Sequence, residues 1–193
     1  MAQRSFDLTG NVVWLDPTGG GSFEDLVDPA DIDFDASVGY GIAANVFFSD
    51  RLSAEFAISR VKPDTTVRRR AVGGSGIGAD TEIMPVTAVL QFHFAPNGFI
   101  DPYIGGGAAY VLFDDVDNNG LGNLDRIDVE DDVGFAVNAG LGIKLGGRLG
   151  LVVDAKYVPL EANARAVTVT GPESEGRVDI SPIIVSAGLS LRF

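Results

Sequence analysis

Apolar residues fall at nearly every second position in eight stretches of this 193-residue chain. The last stretch, from Ser181 to Phe193, places an apolar row that starts at Ile183 opposite a small or polar row that runs from Ser186 to Arg192. A period of two is typical of a β-strand whose two faces meet different surroundings. The pattern therefore predicts eight strands, at 6–14, 38–48, 52–62, 84–94, 100–113, 133–145, 149–157 and 181–193.

The connections between these strands alternate in length. Short turns lie at 49–51, 95–99 and 146–148, whereas the other four connections are long and rich in Gly, Asp and Pro. Tight turns at one end and long loops at the other are typical of outer-membrane barrels, whose strands are even in number. The sequence thus predicts an all-β fold, an eight-stranded antiparallel transmembrane β-barrel with four long extracellular loops and three short periplasmic turns, as one domain over residues 1–193.

A soluble eight-stranded barrel, such as a lipocalin-like carrier, is the alternative with the same strand count. It would place its apolar row inside and its polar row in water. Here Gly, Ala and Ser dominate the polar row, whereas a water-facing sheet carries many Lys, Glu and Thr residues. Small residues suit a narrow lumen, so we interpret the apolar row as lipid-facing. No apolar run approaches the roughly 18 residues that a transmembrane helix needs.

The net charge of −13 is concentrated in two of the long loops. Residues 16–35 carry seven acidic and no basic residues, and residues 113–132 carry eight acidic residues and one basic residue, Arg126. A nucleic-acid partner is not expected, because such binders need clustered Lys and Arg to displace counterions. The chain has no cysteine, which excludes disulfides, a thiol nucleophile and cysteine-ligated zinc.

Several motifs resemble the outer membrane protein W family, which includes the alkane-uptake AlkL proteins. They are Met84-Pro85 at the opening of a strand, the run PYIGGG at 102–107, the strand from Asp154 to Tyr157, and the aromatic C-terminus. They occur in the family's order, and the resemblance covers the chain from about Phe6 to Phe193. The resemblance implies an eight-stranded barrel with a narrow, mostly apolar interior that is associated with passage of small hydrophobic molecules across the bacterial outer membrane.

The resemblance also implies partners. Phe193 would be the recognition signal that the barrel-assembly machinery reads, and the barrel would contact outer-membrane lipid, lipopolysaccharide and small hydrophobic solutes. No cofactor is expected. The chain begins MAQRSFDL, without an apolar stretch of signal-peptide length, so we expect that any export signal was removed before this numbering starts.

Eight residues of the inward rows are candidates for a transport path or a plug. Isolated charges are costly in a lumen enclosed by hydrocarbon, so opposite signs should pair across the barrel. A salt-bridge network would plug the lumen, because eight-stranded barrels leave room for side chains and little else. An open lumen would use the same residues to line a channel. The candidates are Asp7, Glu55, Gln91, His93, Lys144, Asp154, Lys156 and Arg192.

Three prolines lie in strand patterns at the long-loop end. Pro85 begins the fourth predicted strand, Pro159 ends the seventh and Pro182 begins the eighth. Proline lacks an N–H group and so removes a hydrogen bond from a strand ladder. Either the strands simply terminate there, or the wall is weakened near the outer rim so that a hydrophobic solute could leave sideways into lipid.

The sequence predicts no enzyme. His93 is the only histidine, so neither a Ser-His-Asp triad nor a histidine-rich metal site can be assembled readily, and we expect it to fill the lumen near the periplasmic end. Asp115, Asp117 and Asn119 match an EF-hand loop that also has Gly at its sixth position. Arg126 stands where that loop needs a bidentate Glu, so they are calcium candidates only.

Two functions follow from these observations. The first is a porin-like channel for passive uptake of small hydrophobic molecules, with lateral exit through the barrel wall as one route. The second is a structural or adhesive barrel whose acidic loops bind a partner or divalent cations that bridge lipopolysaccharide.

Overall fold

The computed structural model describes residues 5–23, 30–69, 77–80, 82–113, 124–129, 132–168 and 174–193, with side chains at 5–18, 35–63, 82–112, 133–159 and 181–193. Within these residues, no helix is long and apolar enough to span a bilayer. The strands are β1 (Phe6–Phe23), β2 (Ala30–Phe34), β3 (Ser37–Phe47), β4 (Leu52–Arg60), β5 (Asp64–Arg69), β6 (Ile77–Asp80), β7 (Ile83–His93), β8 (Ile100–Phe113), β9 (Leu124–Val129), β10 (Asp132–Gly146), β11 (Leu149–Tyr157), β12 (Leu160–Thr168) and β13 (Ser174–Arg192).

Eight of these strands close into an antiparallel barrel. They pair in the order β1, β3, β4, β7, β8, β10, β11 and β13, and β13 pairs with β1 to close the sheet. Asp16 of β1 pairs with Ile183 of β13, and the partners followed from strand to strand around the barrel return to β1 at Phe6. The sheet is therefore staggered by ten residues over one circuit. Closure of a sheet requires such a stagger because the strands tilt. The predicted eight-stranded barrel is confirmed.

The strands extend past their predicted limits at the long-loop end. β1 continues to Phe23, β13 already begins at Ser174, and β2, β5, β6, β9 and β12 extend the sheet beyond the barrel. Continued pairing satisfies backbone groups that a long loop would otherwise expose. The prediction that Pro182 begins a strand is therefore wrong, since Pro182 lies inside β13, opposite Pro17 of β1.

Three short turns connect the barrel strands at the other end, which is the periplasmic end. They join β3 to β4, β7 to β8 and β10 to β11. The last turn contains Gly146 and Gly147, whose φ angles of 131° and 58° are values that residues with a Cβ rarely adopt. Glycine therefore allows β10 to reverse directly into β11.

The two faces of the barrel differ as the alternation predicts. The outward face is apolar and exposed, with Val12, Val38 and Leu90 at 61%, 64% and 64% of their full accessible area. Inward residues such as Ser53 and Gln91 are both 1% exposed. An apolar surface of this kind is the one that a bilayer covers.

Candidate functional site

The inward side chains divide the lumen into two layers, in which no member is more than 7% exposed. The layer nearer the periplasmic end, which we name the polar plug, consists of Glu55, Gln91, Tyr103, Asn138, Asp154 and Lys156. The layer nearer the long loops, which we name the apolar collar, consists of Val13, Leu15, Val61, Ile83, Val111, Val158 and Ile184.

Lys156 holds the plug together across the barrel. Its Nζ lies 2.5 Å from Asp154 Oδ1, on the same face of β11, and 2.9 Å from Glu55 Oε1, which β4 supplies. One buried cation thus faces two buried carboxylates. This pairing offsets the free-energy cost of removing the three charges from water. A single buried charge without a partner would be strongly destabilising.

Asp154 receives two further hydrogen bonds. Tyr103 donates its hydroxyl to Oδ2 at 2.9 Å, and Asn138 donates Nδ2 to the same oxygen at 2.8 Å. Gly140 makes room for the tyrosine, because a Cβ at that position would overlap the Tyr103 ring. Donors that converge on an ionised carboxylate strengthen one another in a low dielectric, so this part of the plug is rigid.

Gln91 links the plug to β3. Its Oε1 accepts a hydrogen bond from Asn45 Nδ2 at 2.7 Å and lies 3.5 Å from Ser53 Oγ. Among the described residues, Gln91 Nε2 is buried and has no hydrogen-bond partner. It is one of six buried side-chain polar atoms without a hydrogen-bond partner among the described residues, a situation that is uncommon in native structures.

His93 lies in the lumen on the periplasmic side of the plug. Its Nδ1 is 2.9 Å from Asp101 Oδ2, and its Nε2 is 3.0 Å from Ser53 Oγ. The expectation that a single histidine would not assemble a Ser-His-Asp arrangement is therefore wrong. Ser53 and Asp101 were missed, although their positions on inward rows and the short turn between β7 and β8 could have suggested them.

Asp7 and Arg192 pair at the periplasmic mouth of the barrel. The Arg192 guanidinium donates Nε and a terminal nitrogen to the two oxygens of Asp7, at 2.7 and 2.6 Å, and lies 5.0 Å from the centre of the Phe47 ring. These three residues line a cavity of about 310 Å³, which extends from the short turns to Glu55 and His93. The cavity forms a vestibule beneath the plug.

Lys144 does not lie among the buried lumen charges. It is exposed, and its Nζ donates to the carbonyl of Pro96 at 2.9 Å, in the turn between β7 and β8. This position follows from the chain, because Lys144 comes two residues before the turn at Gly146. Lys144 therefore belongs to the rim of the vestibule.

The alternation pattern did not predict the apolar collar, although the family resemblance implied a mostly apolar interior. On β1 the inward row changes from Thr9 and Asn11 to Val13, Leu15 and Pro17, and Val13 and Leu15 are each 1% exposed. A change in polarity along one row was visible in the sequence. It was hidden because Val12 and Trp14 of the outward row are also apolar, so that residues 12–15 read as one apolar run.

Pro85 interrupts the ladder between β4 and β7. The paired positions end at Ile58 and Val86, and Pro85 has no N–H to contribute to the next bond. Val61 and Ile83 then exchange two backbone hydrogen bonds, of 3.0 and 2.9 Å, just beyond the proline. The seam between β4 and β7 is therefore closed again beyond Pro85, nearer the long-loop rim. We name it the Pro85 seam.

An ion cluster lies at the rim above this seam. Arg60 donates to Glu82 Oε2 at 2.6 Å, and Lys62 Nζ lies 3.5 Å from the same oxygen. The hydrogen bond from Arg60 is the main reason why the pKa of Glu82 is lowered below its ordinary value. We name Arg60, Lys62 and Glu82 the rim clasp.

Pro159 lies in a second interruption, between β10 and β11. The ladder of these strands ends at Val137 and Tyr157. Pairing resumes beyond the proline between β9 and β12, at Val129 and Ala164, with the register shifted by one residue. As predicted, Pro159 follows the end of the seventh barrel strand.

Pro182 affects the neighbouring seam less. Val158 donates its N–H to the Pro182 carbonyl at 3.1 Å, and Pro182 cannot return a bond. Beyond the proline the ladder nevertheless continues, because β13 pairs with β12 from Ile180 toward the long loops. Only one hydrogen bond is therefore missing at this seam.

Phe193 closes the barrel at the periplasmic rim. Its N–H donates to the Phe6 carbonyl at 2.8 Å, and the two rings lie 6.0 Å apart between centres. The ring is 59% exposed on the outward side. Phe193 therefore ends the barrel on its lipid-facing surface.

The calcium candidates Asp115, Asp117 and Asn119 lie outside the described residues. Within the part of the chain that the structure describes, no group of three or more His, Asp or Glu side chains could hold a metal ion.

Proteins of known structure share this fold, although their sequence identity to this chain is low. OprG of Pseudomonas aeruginosa superposes with a TM-score of 0.82 at 18% identity, with 100% of this chain and 97% of that chain covered. The solid-state NMR structure of AlkL in lipid bilayers gives a TM-score of 0.71 at 24% identity, with 100% and 91% covered. Similarity at these identities supports the fold.

Two curated relatives match in sequence. The outer-membrane protein y4mB of Sinorhizobium fredii is 29% identical over 169 residues, which are 86% of this chain and 71% of that protein. The AlkL protein of Ectopseudomonas oleovorans is 25% identical over 147 residues, 76% of this chain and 62% of that protein. The model of the OmpW family matches residues 12–193, and this outer-membrane β-barrel is therefore a member of the OmpW family.

Proposed function

We propose that this barrel is a passive conduit for small hydrophobic molecules, which enter from outside and leave sideways through the wall into the lipid. The observation that carries the proposal is the order of the two lumen layers. An apolar collar faces the long loops, and a charged plug lies behind it. The resemblance to alkane-uptake proteins supports the same reading, and we treat all 193 residues as one domain.

The apolar collar offers a solute the surface that it needs. Its seven side chains are aliphatic and together form an inward-facing apolar layer. Transfer of apolar surface out of water is favourable by about 25 cal/mol per Å². A solute without hydrogen-bonding groups is therefore drawn to the collar, whereas a polar nutrient gains nothing there.

The polar plug blocks the direct route to the periplasm. Passage through it would require a solute to separate Lys156 from Glu55 and Asp154 in a low dielectric, which is costly for each charge left unpaired. A hydrophobic solute could not replace the lost contacts. A solute that has entered the collar therefore has the wall as its easier exit.

The proline positions supply candidate exits. Val158, a collar residue that is 0% exposed, directly precedes Pro159 where the ladder of β10 and β11 ends. Val61 and Ile83, also collar residues, frame the Pro85 seam. Pro182 accepts the bond from Val158 and borders the same region. Separation of the strands at Pro85 or at Pro159 would join the collar to the lipid.

Uptake of an apolar fluorescent probe by cells or proteoliposomes tests the exit route. Restoring an N–H with Pro159→Val or Pro85→Val should slow uptake. Pro182→Val should have a smaller effect on uptake, because only one hydrogen bond is missing at that position. Pro102→Val is the matched control. Pro102 lies in β8 and accepts a hydrogen bond from Phe94, but at the periplasmic end, so its change should leave uptake unaltered. Unchanged uptake in all variants would contradict lateral exit.

The alternative, an adhesive or structural barrel, is supported by the acidic residues concentrated in two long loops. Shortening the connections at 24–29 and 114–123, which leaves the described strands intact, separates the functions. A conduit then keeps its uptake of the apolar probe. An adhesive barrel instead loses binding to lipopolysaccharide or a divalent cation and shows no specific uptake in either form.

A further inference from the structure

Ser53, His93 and Asp101 form a continuous hydrogen-bonded row beside the vestibule. Ser53 Oγ lies 3.0 Å from His93 Nε2, and His93 Nδ1 lies 2.9 Å from Asp101 Oδ2. The second oxygen of Asp101 accepts the backbone N–H of Ala95 at 3.0 Å. This order and spacing are those of a serine nucleophile, its general base and the carboxylate that orients the base.

We propose that Ser53 is an activated nucleophile that takes an acyl group from a small ester entering from the periplasmic side. His93 acts as the general base, and Asp101 positions His93. The proposal concerns the periplasmic end of the lumen and does not depend on the uptake of hydrophobic molecules through the collar.

The mechanism requires one tautomer of His93. With the proton on Nδ1 directed at Asp101 Oδ2, the lone pair of Nε2 faces Ser53 Oγ. The side chains of His93 and Asp101 are 6% and 14% exposed, and Ser53 is 1% exposed. Limited access of water strengthens both hydrogen bonds and holds the histidine in one orientation.

Gln91 is a further polar neighbour of Ser53. It pairs with Ser53 across β4 and β7, and its Oε1 is 3.5 Å from Ser53 Oγ. Asn45 holds that oxygen, so the Gln91 Nε2 group is left as a buried donor without a partner among the described residues.

The vestibule reaches the general base and its carboxylate. Its volume is about 310 Å³, and its lining includes His93, Asp101 and Phe47, whereas Ser53 is 1% exposed and does not line it. Phe47 pairs with Ser53 across β3 and β4, and its ring centre lies 5.0 Å from that of His93. An ester in the vestibule therefore reaches Ser53 only when the Phe47 or His93 ring moves aside, which favours a short acyl group over a long chain.

The chemical step is an acyl transfer. Ser53 Oγ forms a bond to the ester carbonyl carbon while its proton passes to His93 Nε2. The resulting imidazolium then protonates the leaving alkoxide as the ester C–O bond breaks. Water, activated by His93 in the same manner, releases the acid and returns the hydroxyl of Ser53.

Phenylmethylsulfonyl fluoride, which forms a stable adduct with activated serines, tests this proposal on the full chain refolded in lipid nanodiscs. We expect one adduct per barrel, located at Ser53 by tandem mass spectrometry. Ser190 is the internal control, because it lines the same vestibule and no second histidine exists to activate it. Labelling of Ser190 as fast as Ser53, or no adduct on Ser53, would overturn the proposal.

Variants separate activation from mere access. His93→Gln keeps a polar side chain but removes the base, so Ser53 labelling should slow about 100-fold or more. Asp101→Asn should slow it as well, and Asp101→Glu should restore part of the rate, which a purely structural role would not produce. Ser186→Ala, a change of a buried inward serine outside the row, should leave the rate unaltered. The proposal fails if Ser53 of a folded His93→Gln barrel labels at the original rate.

Discussion

The polar plug and the apolar collar lie one above the other in the same lumen, yet they are held by different forces. The plug depends on directed contacts, in which Lys156 pairs with Glu55 and Asp154, and Tyr103 and Asn138 donate to Asp154. The collar depends on undirected contact among aliphatic side chains. The plug is therefore sensitive to the loss of a single partner, whereas the collar is sensitive to the loss of volume.

This difference assigns the layers different tasks. Charges that are paired and buried resist the entry of an apolar solute, because the solute cannot replace their partners. Aliphatic side chains can exchange contacts with one another for contacts with a solute at little cost. In the proposed conduit, the plug is the barrier and the collar is the site that a solute occupies.

The largest effect is expected from deletion of Phe193, which acts on both layers at once. The deletion removes the hydrogen bond to Phe6 and the aromatic contact at the seam where β13 closes on β1. Neither layer can form in an open barrel. We expect the fraction inserted in outer membranes to fall far more than the strand content measured by circular dichroism. Phe94→Ala, which removes an exposed aromatic of the same rim, is the control. Normal insertion without Phe193 would contradict a role in assembly.

Lys156→Met should destabilise the plug by about 3–5 kcal/mol, because two buried carboxylates lose their cation. Urea unfolding in lipid vesicles measures the change. The triple variant Lys156→Met, Glu55→Gln and Asp154→Asn should recover most of the loss, since it removes all three charges. If the single variant were as stable as the original barrel, the plug would not depend on this pairing.

Planar bilayer recordings sharpen the same point. A closed plug predicts no measurable single-channel conductance in the original barrel. A stable conductance that disappears on substitution of Lys156 would instead show that this residue lines an open channel.

Leu15→Ala should cost about 2–5 kcal/mol, since Leu15 is a fully buried member of the collar and a cavity would remain. Leu8→Ala is the matched control on the same strand. Leu8 faces outward and is 44% exposed, so lipid chains can fill the space that its side chain leaves. Equal losses for the two variants would show that the collar is not packed as a core.

The smallest expected effect concerns pH and the rim clasp. The pKa of Glu82 is lowered in the folded barrel, mainly by the hydrogen bond from Arg60. The clasp therefore stabilises the Pro85 seam above the unfolded pKa of a glutamate, about 4.3, and the stabilisation is lost as the pH falls through the lower folded pKa. Uptake of the apolar probe should rise slightly below about pH 4. Glu82→Gln should remove this dependence, and a rise that persists in that variant would exclude the clasp.

Particular residues show how far the sequence predicts the fold. Strict alternation in residues 84–94 and 133–145 predicted strands whose outward rows the structure confirms, because a period of two assigns each side chain to one face without reference to neighbours. The limits of β1 and β13 were predicted poorly. Their extensions to Phe23 and from Ser174 have mixed polarity and depend on pairing partners far away in the chain.

The candidate site was predicted less completely. The inward position of Glu55, Asp154 and Lys156 follows from parity, but their contact depends on the stagger of ten residues that brings β4 opposite β11. The row of Ser53, His93 and Asp101 likewise depends on which residues of β4, β7 and β8 become neighbours.

The sequence by itself determined the eight strands, the face on which each residue lies, the lipid-facing surface and the family, because alternation, turn residues and motif order are local properties of the chain. Only the tertiary structure decided which inward residues meet at one height, since the tilt and stagger of a closed barrel set those contacts. The polar plug, the apolar collar and the histidine row are all consequences of that closure.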